Sequence, residues 1–156
     1  MDHRIQYMKQ CIALGKQAML KGDSPVGSIL VKNDEIIGIG IESGKSSKDV
    51  TRHAEIEAIN NAIKIGNLKA IKGSVLYTTH EPCIMCSYVI RHHKIDTVVY
   101  GIASEHVGGF TSEFKILSTE TVPKWGKAPH IIGGFLEDEC KELSEGYVNI
   151  QNKKQQ

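Results

Sequence analysis

A chain of 156 residues, 40% apolar and 24% charged, suits one soluble domain over residues 1–156 with one hydrophobic core. No apolar run approaches the ~18 residues of a membrane span, and Met1-Asp2-His3-Arg4 opens an amphipathic pattern, not the apolar block of a secretory signal, so the expected address is the cytoplasm. With 19 basic and 18 acidic residues the net charge is +1, which gives no electrostatic argument for nucleic acid; Lys153-Lys154 reads as a solvated terminus.

Ile5, Met8, Ile12, Leu14, Ala18 and Met19 recur at mostly helical spacing, so a helix is expected over residues 4–21, ended by Gly22-Asp23-Ser24-Pro25. Val26 to Val31 and Glu35 to Ile41 are β-rich runs around Asn33-Asp34, which predicts a hairpin. Residues 43–49 read as loop. Ala54, Ala58, Ile59, Ala62 and Ile63 predict a helix over 53–65, with Gly66 as its C-terminal stop. Val75 to Thr78 is a compact strand. Pro82 suits the first turn of a helix running to His93, and Thr97 to Tyr100 is a further strand. Residues 104–120 carry no single pattern: Gly108-Gly109 interrupts any helix, while 110–117 has room for a short one. A loop around Trp125-Gly126 and Pro129 precedes a short strand at 130–132 and a closing helix over 136–148. Strands alternating with helices imply an α/β layer with partly parallel order.

The chemistry concentrates at Pro82-Cys83-Ile84-Met85-Cys86. In a cytosolic chain a Cys-x-x-Cys pair reads first as metal ligands or as a redox dithiol. The other two cysteines, Cys11 and Cys140, lie in helical patterns and read as small buried apolar side chains. Two cysteines three apart at a helix start put both sulfurs on one side, where the free N–H groups and the dipole favour thiolate. His53 opens the preceding helix and adds a third donor. Three protein ligands leave a position open, the pattern of a catalytic zinc. Glu55, two residues on, is placed to take a proton from a zinc-activated water and return it to substrate.

The order His-x-Glu, then Pro-Cys-x-x-Cys with its first cysteine 30 residues after the histidine, matches the signature of zinc deaminases. The segments at residues 51–59 and 78–86 resemble the cytidine deaminase-like superfamily, nearest its guanine deaminase and tRNA adenosine deaminase branch. Pro25-Val26-Gly27, Val98-Val99-Tyr100-Gly101 and residues 132–140 extend the resemblance over nearly the whole chain. It implies a three-layer α/β/α fold with a five-stranded mixed sheet. One Zn²⁺ per chain is expected on His53, Cys83 and Cys86, with Glu55 as proton shuttle, in a homodimer. The implied reaction is hydrolytic release of ammonia from an amino-substituted heterocycle.

The near-neutral charge favours a small free ring as substrate: guanine, cytosine, or an aminopterin-like or aminotriazine ring. A tRNA adenosine deaminase forming inosine is the alternative. Expected substrate contacts are Glu42, Pro25, Val26, Ala54, Glu81, Pro82 and Phe114, Phe114 by stacking on a flat ring or else packing in the core. His80 reads as a pocket residue or as a structural histidine. One departure bears on specificity: the family carries an asparagine eleven residues before the zinc histidine, where this chain has Glu42. An ionised glutamate only accepts hydrogen bonds and would select a ring edge rich in N–H donors.

Overall fold

The computed structural model describes residues 2–155; Met1, where the reading of a leader began, and Gln156 lie outside the described residues. In chain order the elements are α1 (His3–Leu20), β1 (Gly27–Lys32), β2 (Glu35–Ile41), α2 (Gly44–Ser47), α3 (Ala54–Lys64), α4 (Leu68–Ile71), β3 (Val75–His80), α5 (Ile84–His92), β4 (Thr97–Ile102), a 3-10 turn at Pro123–Trp125, β5 (His130–Ile132) and α6 (Glu137–Lys154).

The five strands lie in the order β2-β1-β3-β4-β5. β1 runs antiparallel to both β2 and β3, while β3, β4 and β5 are parallel. Register places Leu30 beside Leu76 and Leu76 beside Val98, and one residue along sets Ile29 beside Tyr77 and Tyr77 beside Val99. Because successive side chains point to opposite faces, these rows feed two cores. Leu30, Leu76 and Val98 pack with Ile59 and Ala62 of α3 and Ile90 of α5. Ile29, Tyr77 and Val99 pack with Tyr7, Met8 and Cys11 of α1 and Cys140 of α6. Helices thus cover both faces of a mixed sheet, in the cytidine deaminase-like α/β/α arrangement. Cys11 and Cys140 are buried in the second core as small apolar groups, and burial pushes both thiols up, Cys140 to about 12.

Local chemistry accounts for most boundaries. Asn33 and Asp34 adopt positive φ (51° and 63°) at the hairpin turn, as tight two-residue hairpins need. α3 stops where Gly66 turns left-handed (φ 93°), with the Gly66 and Asn67 N–H groups donating back to the Ile63 and Ala62 carbonyls. Three expectations change. The loop over 43–49 contains α2, because the buried Asp23 carboxylate accepts from the Ser46 N–H at 2.8 Å and its hydroxyl at 2.6 Å. Pro82 lies just outside the cysteine helix: Cys83 is its N-cap, and the Pro82 carbonyl accepts from the Gly109 N–H at 2.9 Å. Residues 110–117 form turns, not a helix.

Candidate active site

Two helix starts converge on one point. His53 caps α3 with extended backbone (φ −71°, ψ 152°), and its carbonyl accepts from the Glu57 N–H at 2.9 Å. Cys83 caps α5 in the same way, its carbonyl accepting from the Ser87 N–H at 2.8 Å. Neither side chain makes a capping bond to its own helix. Instead His53 Nδ1 lies 3.5 Å from both Cys83 Sγ and Cys86 Sγ. One donor atom from each of the three residues falls within 4.8 Å of the others, the only such group among the described residues. Two thiols held apart from any disulfide and one imidazole, all aimed at a common centre, form a donor set that zinc takes with one position left over.

The three donor groups bias one another's protonation. The hydrogen bond from Cys86, with His53 adding to it, brings the Cys83 thiol down to about 4. Its bond to Cys83 carries His53 up to about 9. Cys86 moves upward, through its bond to Cys83 and its burial. Glu55 is buried on the first turn of α3, its Oε2 3.5 Å from Cys86 Sγ, and its Oε1 accepts from the Thr78 hydroxyl at 2.9 Å. Burial raises its carboxyl to about 7.

A cavity of about 420 Å³ opens over this group, with His53, Glu55 and Cys83 in its wall. Pro25, Val26 and Glu42 also line it. Glu42 is buried, and its Oε1 accepts from the Ala54 N–H at 3.1 Å. Burial raises its pKa, opposed by His53 and that amide. The same bond occupies the Ala54 N–H, and Ala54 itself is fully buried, so that residue offers the cavity no free donor.

The remaining expected contacts separate from the cavity. Glu81 borders it, but its carboxylate is turned into the following loop. There it accepts from the N–H groups of Ser104 (3.0 Å), Phe110 (2.9 Å) and Thr111 (2.7 Å) and from the Thr111 hydroxyl. Pro82 is buried and is not in the wall. Phe114 is 45% exposed, against a separate hollow with Glu105, His106 and Thr111, so it neither faces the site nor fills the core.

Other wall residues escaped the sequence reading. Ser144, Tyr147 and Val148 bring α6 into the wall of the cavity, where Tyr147 is held by Lys45, hydrogen-bonded to its hydroxyl and 4.9 Å from its ring centroid. Nothing in the α6 pattern distinguishes these positions from ordinary amphipathic ones. His80 also lines the cavity. Its Nδ1 is 2.9 Å from Thr79 Oγ1, and burial lowers its pKa to about 4, which leaves it neutral.

Fold and site together place the chain in a defined family. Residues 1–102 match the cytidine and deoxycytidylate deaminase zinc-binding region, and the chain belongs to that family. It is a zinc-dependent hydrolase with one Zn²⁺ site on His53, Cys83 and Cys86. Among named relatives, it is 38% identical over 149 residues to the tRNA-specific adenosine deaminase of Aquifex aeolicus, covering 94% of this chain and 95% of that one. It is 32% identical to tRNA-specific adenosine deaminase 2 of Danio rerio, over 97% of this chain and 73% of that protein. A solved structure from a study of A-to-I editing by tRNA:A34 deaminases at the wobble position aligns with TM-score 0.81 and 28% identity, over 89% and 99% of the two chains. The guanine deaminase of Bacillus subtilis aligns with TM-score 0.59 and 33% identity, over 66% of each chain.

Proposed function

We propose that this protein is a tRNA adenosine deaminase, a single-domain cytoplasmic homodimer that hydrolyses adenosine in tRNA to inosine and releases ammonia. The observation that carries the reading is the length of the similarity to tRNA-specific adenosine deaminases, which runs through almost all of both chains. At 94% of this chain it reaches into α6, which supplies part of the cavity wall. This reverses the order suggested by net charge, which favoured a small free ring.

Bound zinc supplies a water activated for attack at neutral pH. The chain's own groups do the rest. Glu55, buried and poised near neutrality, takes the proton from the attacking water and passes it to the ring nitrogen beside the reacting carbon; it then takes the proton of the newly added hydroxyl and delivers it to the amine, so that the C–N bond breaks, ammonia leaves and the ring carbon keeps a carbonyl. Pro25 and Val26 form a wall against the flat ring, and neutral His80 offers one polar edge.

A second reading, deamination of a free aminated heterocycle, is favoured by one observation: Glu42, in place of the family asparagine, lines the cavity. It only accepts hydrogen bonds, and so do the ring nitrogens of adenine. A ring edge bearing N–H donors matches it better. The test uses zinc-loaded enzyme with a tRNA carrying adenosine at the first anticodon position, the same tRNA with guanosine there, and free guanine, cytosine, aminopterin and aminotriazine. Inosine in the first tRNA, read by nucleoside mass spectrometry, with no ammonia from the free rings supports the proposal. Ammonia from a free ring and an unchanged tRNA transfers the function to the second reading.

A further inference from the structure

We propose that the hydroxyls of Ser28 and Thr78 are positioning groups for the Glu55 carboxylate, an inference that rests on Glu55 acting as the proton carrier. Ser28 on β1 and Thr78 on β3 are direct partners in the antiparallel register, and both are fully buried. Two residues along the same strands, the corresponding pair is Leu30 and Leu76, which belong to the apolar core under α3. A buried hydroxyl costs free energy unless it is hydrogen-bonded, and Val or Ile fits such a strand better. The hydroxyls therefore need a partner, and the structure gives them one in series. Ser28 Oγ donates to Thr78 Oγ1 at 2.8 Å, and Thr78 Oγ1 donates to Glu55 Oε1 at 2.9 Å.

The direction of this chain matters. With Ser28 donating to Thr78 Oγ1, the single Thr78 proton is directed at the carboxylate. One Glu55 oxygen is thereby held by the sheet, and the other is left facing the cysteine side of the site, 3.5 Å from Cys86 Sγ. The pair is not a proton wire, because Ser28 is fully buried and the chain ends in the core. Its effect is to fix the orientation of the acid.

Thr78→Val keeps the side-chain shape and removes the donor; Ser28→Ala removes the outer hydroxyl; Thr78→Ser restores the donor. Each variant is loaded with zinc, its metal content measured and its crystal structure determined. kcat and KM are then measured on the adenosine-bearing tRNA. Thr78→Val is expected to retain one zinc, to show the Glu55 carboxylate rotated from its position, and to lose kcat by about 10- to 100-fold with KM within about twofold. Ser28→Ala falls between Thr78→Val and wild type and adds nothing in the Thr78→Val background. Thr78→Ser recovers most of the rate. Glu55 unmoved in zinc-loaded Thr78→Val overturns the inference, as does a loss that Thr78→Ser fails to rescue. If the wild-type enzyme leaves tRNA unchanged, the proposed substrate fails, while the crystallographic comparison still decides the role of the hydroxyls.

Discussion

Gly40→Ala tests how the metal-bearing helix is seated. β2 passes directly beneath α3, and a Cβ at Gly40 would stand 2.0 Å from the Ala54 carbonyl oxygen, 2.4 Å from the Ala58 nitrogen and 3.0 Å from its Cα. All three are backbone atoms, so no side chain can swing aside. Ordinary contact begins at 3.4 Å, which means the first turn of α3 must lift by roughly 1.5 Å, at the upper end of the ~1–3 kcal/mol typical of overpacked cores. For a domain of this size, about 3 kcal/mol corresponds to a fall in Tm of about 10 °C. The same turn begins at His53, and zinc ligation tolerates displacements of only about 0.2 Å, so zinc affinity should fall by at least about tenfold. Competition with a chromogenic chelator measures the affinity, and thermal unfolding of the metal-free and zinc forms measures the stability. The control is Gly146→Ala on α6, where an added Cβ meets nothing within 4 Å; there alanine should stabilise by about 0.5–1 kcal/mol through helix propensity. If Gly40→Ala melts and binds zinc like wild type, α3 is not pressed onto β2 as the structure has it, and the account of how His53 is held is wrong.

Glu55→Ala should keep its zinc and lose about 10²- to 10⁴-fold in turnover, whereas Cys86→Ser should lose the metal as well; zinc analysis beside ammonia release separates the two. Glu81→Ala leaves three loop N–H groups and the Thr111 hydroxyl without their carboxylate. It should cost about 3 kcal/mol in urea unfolding and open residues 104–111 to limited proteolysis; a loop as resistant as wild type would refute the anchoring role. His80 is held neutral with its pKa lowered to about 4, below the ~6.5 of an unfolded chain. The unfolded state therefore binds the extra proton first as pH falls. Stability attributable to His80 is intact above pH 6.5 and declines between 6.5 and 4, by up to about 3 kcal/mol. His80→Gln should flatten that part of the acid unfolding profile, and an unchanged slope would show that the imidazole is not desolvated.

The parts of this site that could be read from sequence are those set by short-range geometry. Cys83 and Cys86 share one side of a helix start because of their spacing alone, and a histidine two residues before a glutamate at another helix start needs only one further contact to complete the centre. The hairpin announced itself through Asn33-Asp34, and α3 through its apolar spacing and Gly66. What could not be read depends on distant packing. Glu81 adjoins Pro82 and Cys83, and adjacency suggested a substrate contact, but its carboxylate answers to a loop more than twenty residues away. Phe114 has the chemistry of a stacking ring, yet the turns pinned by Glu81 carry it outside. Arg91, to which the sequence pattern assigned nothing, is buried, and its guanidinium donates to the Ile116, Thr119 and Gly126 carbonyls at 3.1, 2.6 and 3.3 Å.

Glu42 shows why one position can mislead in both directions. Set against the family asparagine it looked like a specificity residue, and it does line the cavity. It also ties the end of β2 to the first amide after the zinc histidine, where the α3 dipole favours a negative charge. Replacing it therefore perturbs ring recognition and the seating of His53 together, and a change in substrate preference alone would not separate them. Glu42→Gln keeps the length and an acceptor for the Ala54 N–H while removing the charge and adding a donor. If Glu42→Gln retains zinc affinity while the substrate order changes, the cavity-lining role is isolated; if zinc affinity falls with the order unchanged, the carboxylate is a brace for the metal helix.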